Sequence, residues 1–190
     1  MNIINFFYNA FLGRKLAIFG LFWLSIILLA AVFAPIIAPF DPFKIDPVGR
    51  LGQPNLINFF GTDHFGRDTF SRALYGARMT VIIGLGSVVV ALLLGGFVGM
   101  ISAYFNRLGN FLMRGIDILM AFPALLMALV LITLLERSVF NTIIVIGIVY
   151  ATTTARILFG MTLKLKGEVF IDAAICSGTG HSSILFRHIL

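Results

Sequence analysis

MTVIIGLGSVVVALLLGGFVGMISAYFN, residues 79–106, holds no charged side chain. The hydrocarbon core of a bilayer is about 30 Å thick, and a helix crosses it with about 20 apolar residues. The stretch predicts a spanning helix over 80–104. It also places Ser87, Ala91, Gly95, Gly99 and Ala103 at every fourth position, which on a helix gives a nearly continuous stripe of small side chains. In lipid, helices associate largely by close backbone packing, which small side chains permit. The reading is therefore a helix pressed against another helix, not an isolated anchor.

Three more stretches lack charge, at 16–40, 118–135 and 138–155. The whole chain of 190 residues is 59% hydrophobic and only 12% charged, with a mean hydropathy of +1.04. A soluble domain carries about 25% charged residues, so the solvent of this chain is lipid. The expected fold class is an all-α polytopic membrane protein with spans near 16–37, 80–104, 115–135 and 140–160. The first stretch exceeds the roughly 7–15 apolar residues of a secretory signal and reads as an uncleaved anchor, with Pro35 and Pro39 at its exit. Pro123 is expected to kink the third span.

Flanking basic residues set orientation. Arg14 and Lys15 put the N-terminus in the cytoplasm. Arg107 and Arg114 then lie inside between the second and third spans, and Arg156, Lys164, Lys166 and Arg187 lie inside after the fourth. The segment placed outside, between the first two spans, holds Lys44, Arg50, Arg67, Arg72 and Arg78 against Asp41, Asp46, Asp63 and Asp68, so its charge supports the assignment only weakly. Residues 38–60, rich in Pro, Gly and Asn, read as loop. A short interfacial helix is expected from about Asp68 to Arg78, with Phe70, Ala73, Leu74 and Ala77 on one face and Asp68 paired to Arg72.

Several chemistries find little support. The single cysteine, Cys176, gives no disulfide or thiolate cage. His64, His181 and His188 all lie outside the spans, which argues against a membrane enzyme or a haem site. Apart from Asp117, near an interface and within reach of Arg114 at i,i+3, the spans hold no acid for an ion-coupled carrier or channel. The basic residues are scattered, so no nucleic acid is expected, and no cofactor or metal is implied. No G-x-x-x-x-G-K-[ST] phosphate loop is present, so energy from ATP would come from a partner. Within Gly61-Thr62-Asp63-His64-Phe65-Gly66-Arg67-Asp68, an acid–base or metal cluster is conceivable, but glycine turns and an aspartate cap account for the same residues.

After the fourth span, Glu168 opens a short helical run through Ser177, Gly178 and Gly180 end it, and Ser182 or Ser183 can cap a second helix from Ile184. The first helix is small at Asp172-Ala173-Ala174, which suits either a groove on another protein or a solvated loop.

Asp172-Ala173-Ala174-x-x-x-Gly178, followed after nine residues by His188-Ile189-Leu190, resembles the EAA loop of bacterial ABC-transporter permeases. Gly61-Thr62-Asp63 with Gly66-Arg67-Asp68, Tyr75-Gly76-Ala77-Arg78, and Asp117 through Pro123 resemble the dipeptide/oligopeptide/nickel-type branch. Asp172 stands where the family has glutamate, one methylene longer. The resemblance covers nearly the whole chain from Leu16. It implies a type I ABC importer permease with four of the usual six transmembrane helices, apparently truncated at its C-terminus. Residues 1–79 would be an anchor plus an extracytoplasmic segment. Residues 80–190 would be the core permease, with the EAA loop at 161–190. The implied role is half of a translocation pathway for peptides or a related small solute in the bacterial inner membrane. The implied partners are a second permease subunit, two ATPase subunits and an extracytoplasmic substrate-binding protein. Glu168, Asp172, Ala173, Ala174 and Gly178 would meet the ATPase. A permease fragment without function, or an ion-coupled carrier or channel, is the alternative.

Overall fold

The computed structural model describes residues 15–180 and 183–185, the side chains of 106–108 apart. These residues form seven helices: α1 (Lys15–Val32), α2 (Ala34–Ile37), α3 (Thr69–Tyr104), α4 (Asn106–Met120), α5 (Ala124–Leu134), α6 (Val139–Lys166) and α7 (Val169–Cys176). Two compact units divide within α3, after Ile82.

In the first unit, α1 exposes Phe19, Phe22, Trp23 and Leu24 around its circumference, as a helix in lipid does. Its one hydroxyl, Ser25, donates to Leu21 O at 2.7 Å, so no polar group is left bare in the hydrocarbon. The helix stops at Val32, and α2 restarts at Ala34 with Pro35 in its first turn, where the missing N–H costs nothing.

α3 holds 36 residues, which at 1.5 Å each make about 54 Å, far more than the apolar layer needs. The separate interfacial helix expected at 68–78 is thus the first part of one continuous helix. Its buried side also differs from the expected one: Asp68, Ser71 and Leu74 are buried and Ala73 is exposed. Polar contacts decide this. Ser71 N donates to Asp68 Oδ2 at 2.7 Å, and Phe40 N donates to Ser71 Oγ at 3.2 Å.

In the second unit, the expected third span is two helices. α4 and α5 meet at 91°. Proline cannot continue the hydrogen-bond ladder and also pushes the residue before it out of helical space, so Pro123 breaks the span instead of kinking it. α5 has 11 residues, about 16 Å, too short to cross alone. Among the described residues three helices are long and apolar enough to span, or there are four spans if the bent pair counts as one. α6 is N-capped by Ser138, whose side chain accepts from Asn141 N at 3.0 Å. It ends with Lys164 and Lys166 in its last turn, where cations suit the helix dipole.

α3 and α6 pack within this unit at near backbone contact. A Cβ built on Gly95 would lie 2.3 Å from Ala151 O, and one on Gly99 2.4 Å from Ala155 O. From the other side, a Cβ on Gly147 would lie 2.5 Å from Val90. Ser87, Ala91, Gly95, Gly99 and Ala103 are all buried, and Ser87 Oγ donates back to Ile83 O at 2.7 Å.

Candidate functional site

α7 is eight residues long, too short to persist by its own hydrogen bonds, so its surroundings hold it. Ile171 is fully buried and packs with Tyr104 and Ile184. Val169, Phe170, Asp172, Ala173, Ile175 and Cys176 are exposed, and Ala174 is half-buried. The helix therefore rests on one residue and presents most of its surface outward.

Glu168 is the N-cap, with extended backbone and no side-chain capping bond, and Asp172 lies in the first turn. The far end is a Schellman stop. Thr179 N donates to Ala174 O at 3.1 Å and Gly178 N to Ile175 O at 3.0 Å, with Gly178 at φ +78°. Gly178 alone provides the left-handed residue. Gly180, expected to share that role, does not have a positive φ. Ser183 to Leu185 continue as a helical turn, whereas Ser182 and residues 186–190, where the second helix and His188 were expected, lie outside the described residues.

The stretch 61–68 forms a closed turn in the first unit. Asp63 Oδ1 accepts from Phe65 N at 2.8 Å and Arg67 N at 3.0 Å, and its Oδ2 accepts from Arg67 Nε at 2.8 Å. Arg72 also pairs with Asp63, so the expected Asp68–Arg72 pair is replaced: Asp63 takes the guanidinium while Asp68 caps α3. Partial burial raises the Asp63 pKa, but the bonds from the Arg67 side chain and from the Arg67 and Phe65 amides outweigh it and hold the carboxyl well below the usual range. Gly66, at φ +75°, passes against Asp46 O so closely that a Cβ would lie 1.8 Å away. Thr62 bonds Gly52 N at 2.7 Å and also reaches Gly49 O. Asp68 Oδ1 has no hydrogen-bond partner among the described residues. Among those residues no three His, Cys, Asp or Glu side chains converge as a metal site, and His64 is exposed.

Two polar links escape the sequence reading. Asp117 pairs with Arg156 of α6, not with Arg114 one turn away. Lys166 Nζ donates to Tyr104 O at 2.8 Å and lies 3.4 Å from Ala103 O. Each joins residues far apart in the chain, and local spacing carries no signal for that.

Residues 91–190 match the family described as binding-protein-dependent transport system inner membrane component. The chain belongs to that family. Residues 7–54 also match the N-terminal TM domain of oligopeptide transport permease C. A dipeptide transport system permease protein of Alkalihalophilus pseudofirmus is 38% identical over 93% of this chain and 59% of its own length. An oligopeptide transport system permease protein of Bacillus subtilis is 36% identical over 95% and 59%. A di/tripeptide transport system permease protein of Pseudomonas aeruginosa is 33% identical over 97% and 63%. The chain spans about three-fifths of the length of these relatives. Its described residues hold three or four candidate membrane spans, and α6 and α7 both fall inside the matched region.

Proposed function

We propose that this chain is a permease subunit of an ATP-driven importer for peptides or a related small solute. It contributes to the translocation pathway while separate ATPase subunits supply the energy. α7 carries the proposal: an eight-residue helix held by one buried isoleucine, outward-facing, and placed where the family resemblance puts its ATPase-docking loop. Ala173, Ala174 and Gly178 allow close approach, Glu168 and Asp172 supply charge, and Val169 and Phe170 offer apolar area. In this reading the N-terminus and residues 161–190 face the cytoplasm, and residues 41–78 face outward in a bacterial inner membrane. Residues 1–79 form an anchor plus an extracytoplasmic segment, whose turn at Gly61–Asp68 is a rigid feature of the face met by a substrate-binding protein. Residues 80–190 belong to the core that pairs with a second permease subunit, and Ser87 through Ala103 form its packing stripe.

The test is pull-down of ATPase subunits by the full-length protein carrying Ala173→Trp or Gly178→Val. Ala173 is exposed, so tryptophan there leaves the fold intact and overfills the docking cleft. Overpacking typically costs about 1–3 kcal/mol, a loss of roughly 5- to 150-fold in affinity. Gly178→Val meets no neighbouring atom, and it acts through the positive φ that a β-branched residue resists. Unchanged binding in both variants would leave α7 an ordinary solvated helix.

A further inference from the structure

The ends of α3 and α6 and the base of α7 meet at one point. Lys166 is the last residue of α6. Its ammonium donates to the final carbonyls of α3, at Tyr104 O and Ala103 O. Terminal carbonyls have no acceptor role left inside their own helix and carry the negative end of its dipole, so a cation there is both a hydrogen-bond donor and a charge partner. The same Nζ lies 5.5 Å from the centroid of the Tyr104 ring, within range of a cation–π attraction. Tyr104 is nearly buried and packs with Ile171, the inward residue of α7, and with Ile184. A short path of contacts thus runs from α7 through Ile171 and Tyr104 to the end of α3. Lys166 fastens that end to α6, the helix against which Gly95 and Gly99 of α3 are pressed.

We propose that Lys166 is a positioning residue for transport: it pins the end of α3 to the base of α7, so that a displacement of α7 by an ATPase moves α3 with it. This rests on the permease function proposed above. Lys166 lies at the α6 end and not on the outward surface of α7, so its loss separates docking from coupling. The glycine seam presses α3 against the middle of α6, away from the α6 end that leads into α7. The Tyr104–Ile171 contact supplies the connection to α7, and Lys166 holds Tyr104 in place for it.

The experiment uses the full-length transporter in proteoliposomes, with its ATPases and a cargo-loaded binding protein, and compares Lys166→Met, Lys166→Arg and Ile171→Ala. Three quantities are read: ATPase binding, ATP hydrolysis, and solute moved per ATP hydrolysed. Lys166→Met keeps the length and apolar stem and removes the charge. It is expected to retain ATPase binding and hydrolysis while solute moved per ATP falls about tenfold, equivalent to about 1.4 kcal/mol, near the lower bound for a hydrogen bond to a charged group. Lys166→Arg, which keeps a donor and a charge, should recover most of the loss. Ile171→Ala cuts the same path at its apolar link and should lower the same ratio. Because Ile171 also holds α7, its ratio is compared at equal ATPase binding, and Lys166→Gln takes the place of Lys166→Met if the latter does not accumulate in the membrane. An unchanged ratio in Lys166→Met and Ile171→Ala overturns the proposal. So does a loss of ATPase binding in step with the ratio that arginine does not restore, since that is a purely structural role. Failure of the unsubstituted protein to bind ATPases is a separate result, because it removes the permease function itself.

Discussion

Asp63 shows how one carboxylate can organise a whole turn. It takes two backbone amides and two guanidinium groups, and these bonds favour its charged form. Its folded pKa lies below its ordinary value of 3.8. A depressed folded pKa means that the unfolded chain takes up the proton first. The stabilisation by Asp63 is therefore complete above the ordinary aspartate range and declines as pH falls from about 4 toward the folded pKa. Thermal unfolding of the detergent-solubilised protein, compared with Asp63→Asn, should show a wild-type advantage that is constant from pH 7 to 5 and narrows below pH 4. An advantage independent of pH down to 3 would show that the ionised form is not the one the turn selects. At this scale the sequence is only partly legible. The glycine turn and the aspartate cap can be read from residue types, because Gly61, Gly66 and Asp68 announce them. Which acid meets Arg72 cannot, because Asp63 and Asp68 are both in reach and the cap on α3 decides between them.

The seam between α3 and α6 determines how these elements pack. At Gly95 and Gly99 the facing atoms are backbone carbonyls, which cannot rotate away as a side-chain tip can. Gly95→Leu and Gly99→Leu should each lower stability by about 1–3 kcal/mol, the usual range for overpacking. Gly84 on the same helix has nothing within 4 Å of a built Cβ, so Gly84→Leu is the control and should be close to neutral. The measurement is thermal unfolding in detergent for all three variants. Equal stability would place the seam glycines against lipid. The stripe is readable because a four-residue repeat of small side chains is periodic, and periodicity is what a sequence displays. The partner helix is less readable, because the matching repeat on α6, Gly147, Ala151 and Ala155, runs over only three positions. The break at Pro123 is legible as a disturbance but not as a 91° turn. That angle arises across residues 121–123, between the end of α4 and the start of α5, and composition does not encode it. The continuity of α3 through Arg78 is hidden for the opposite reason: a charged turn resembles a boundary to hydropathy, while backbone hydrogen bonding passes straight through it.

For the whole molecule, the separation between lipid-facing and docking surfaces governs the account. α1, α3 and α6 carry apolar surface suited to lipid, whereas α7 is held by Ile171 and exposes most of the rest of itself. The account's central claim is that α7 is a cytoplasmic docking helix for an ATPase. Cys176, the sequence's single cysteine, is exposed on that helix and reports on it without an added label site. The decisive measurement is its rate of modification by a membrane-impermeant maleimide, in intact cells and in inverted membrane vesicles, with and without bound ATPase subunits. The account expects no modification in intact cells, rapid modification in inverted vesicles, and a marked slowing when the ATPases bind. Modification from outside intact cells, or a rate in inverted vesicles that the ATPases leave unchanged, would contradict it.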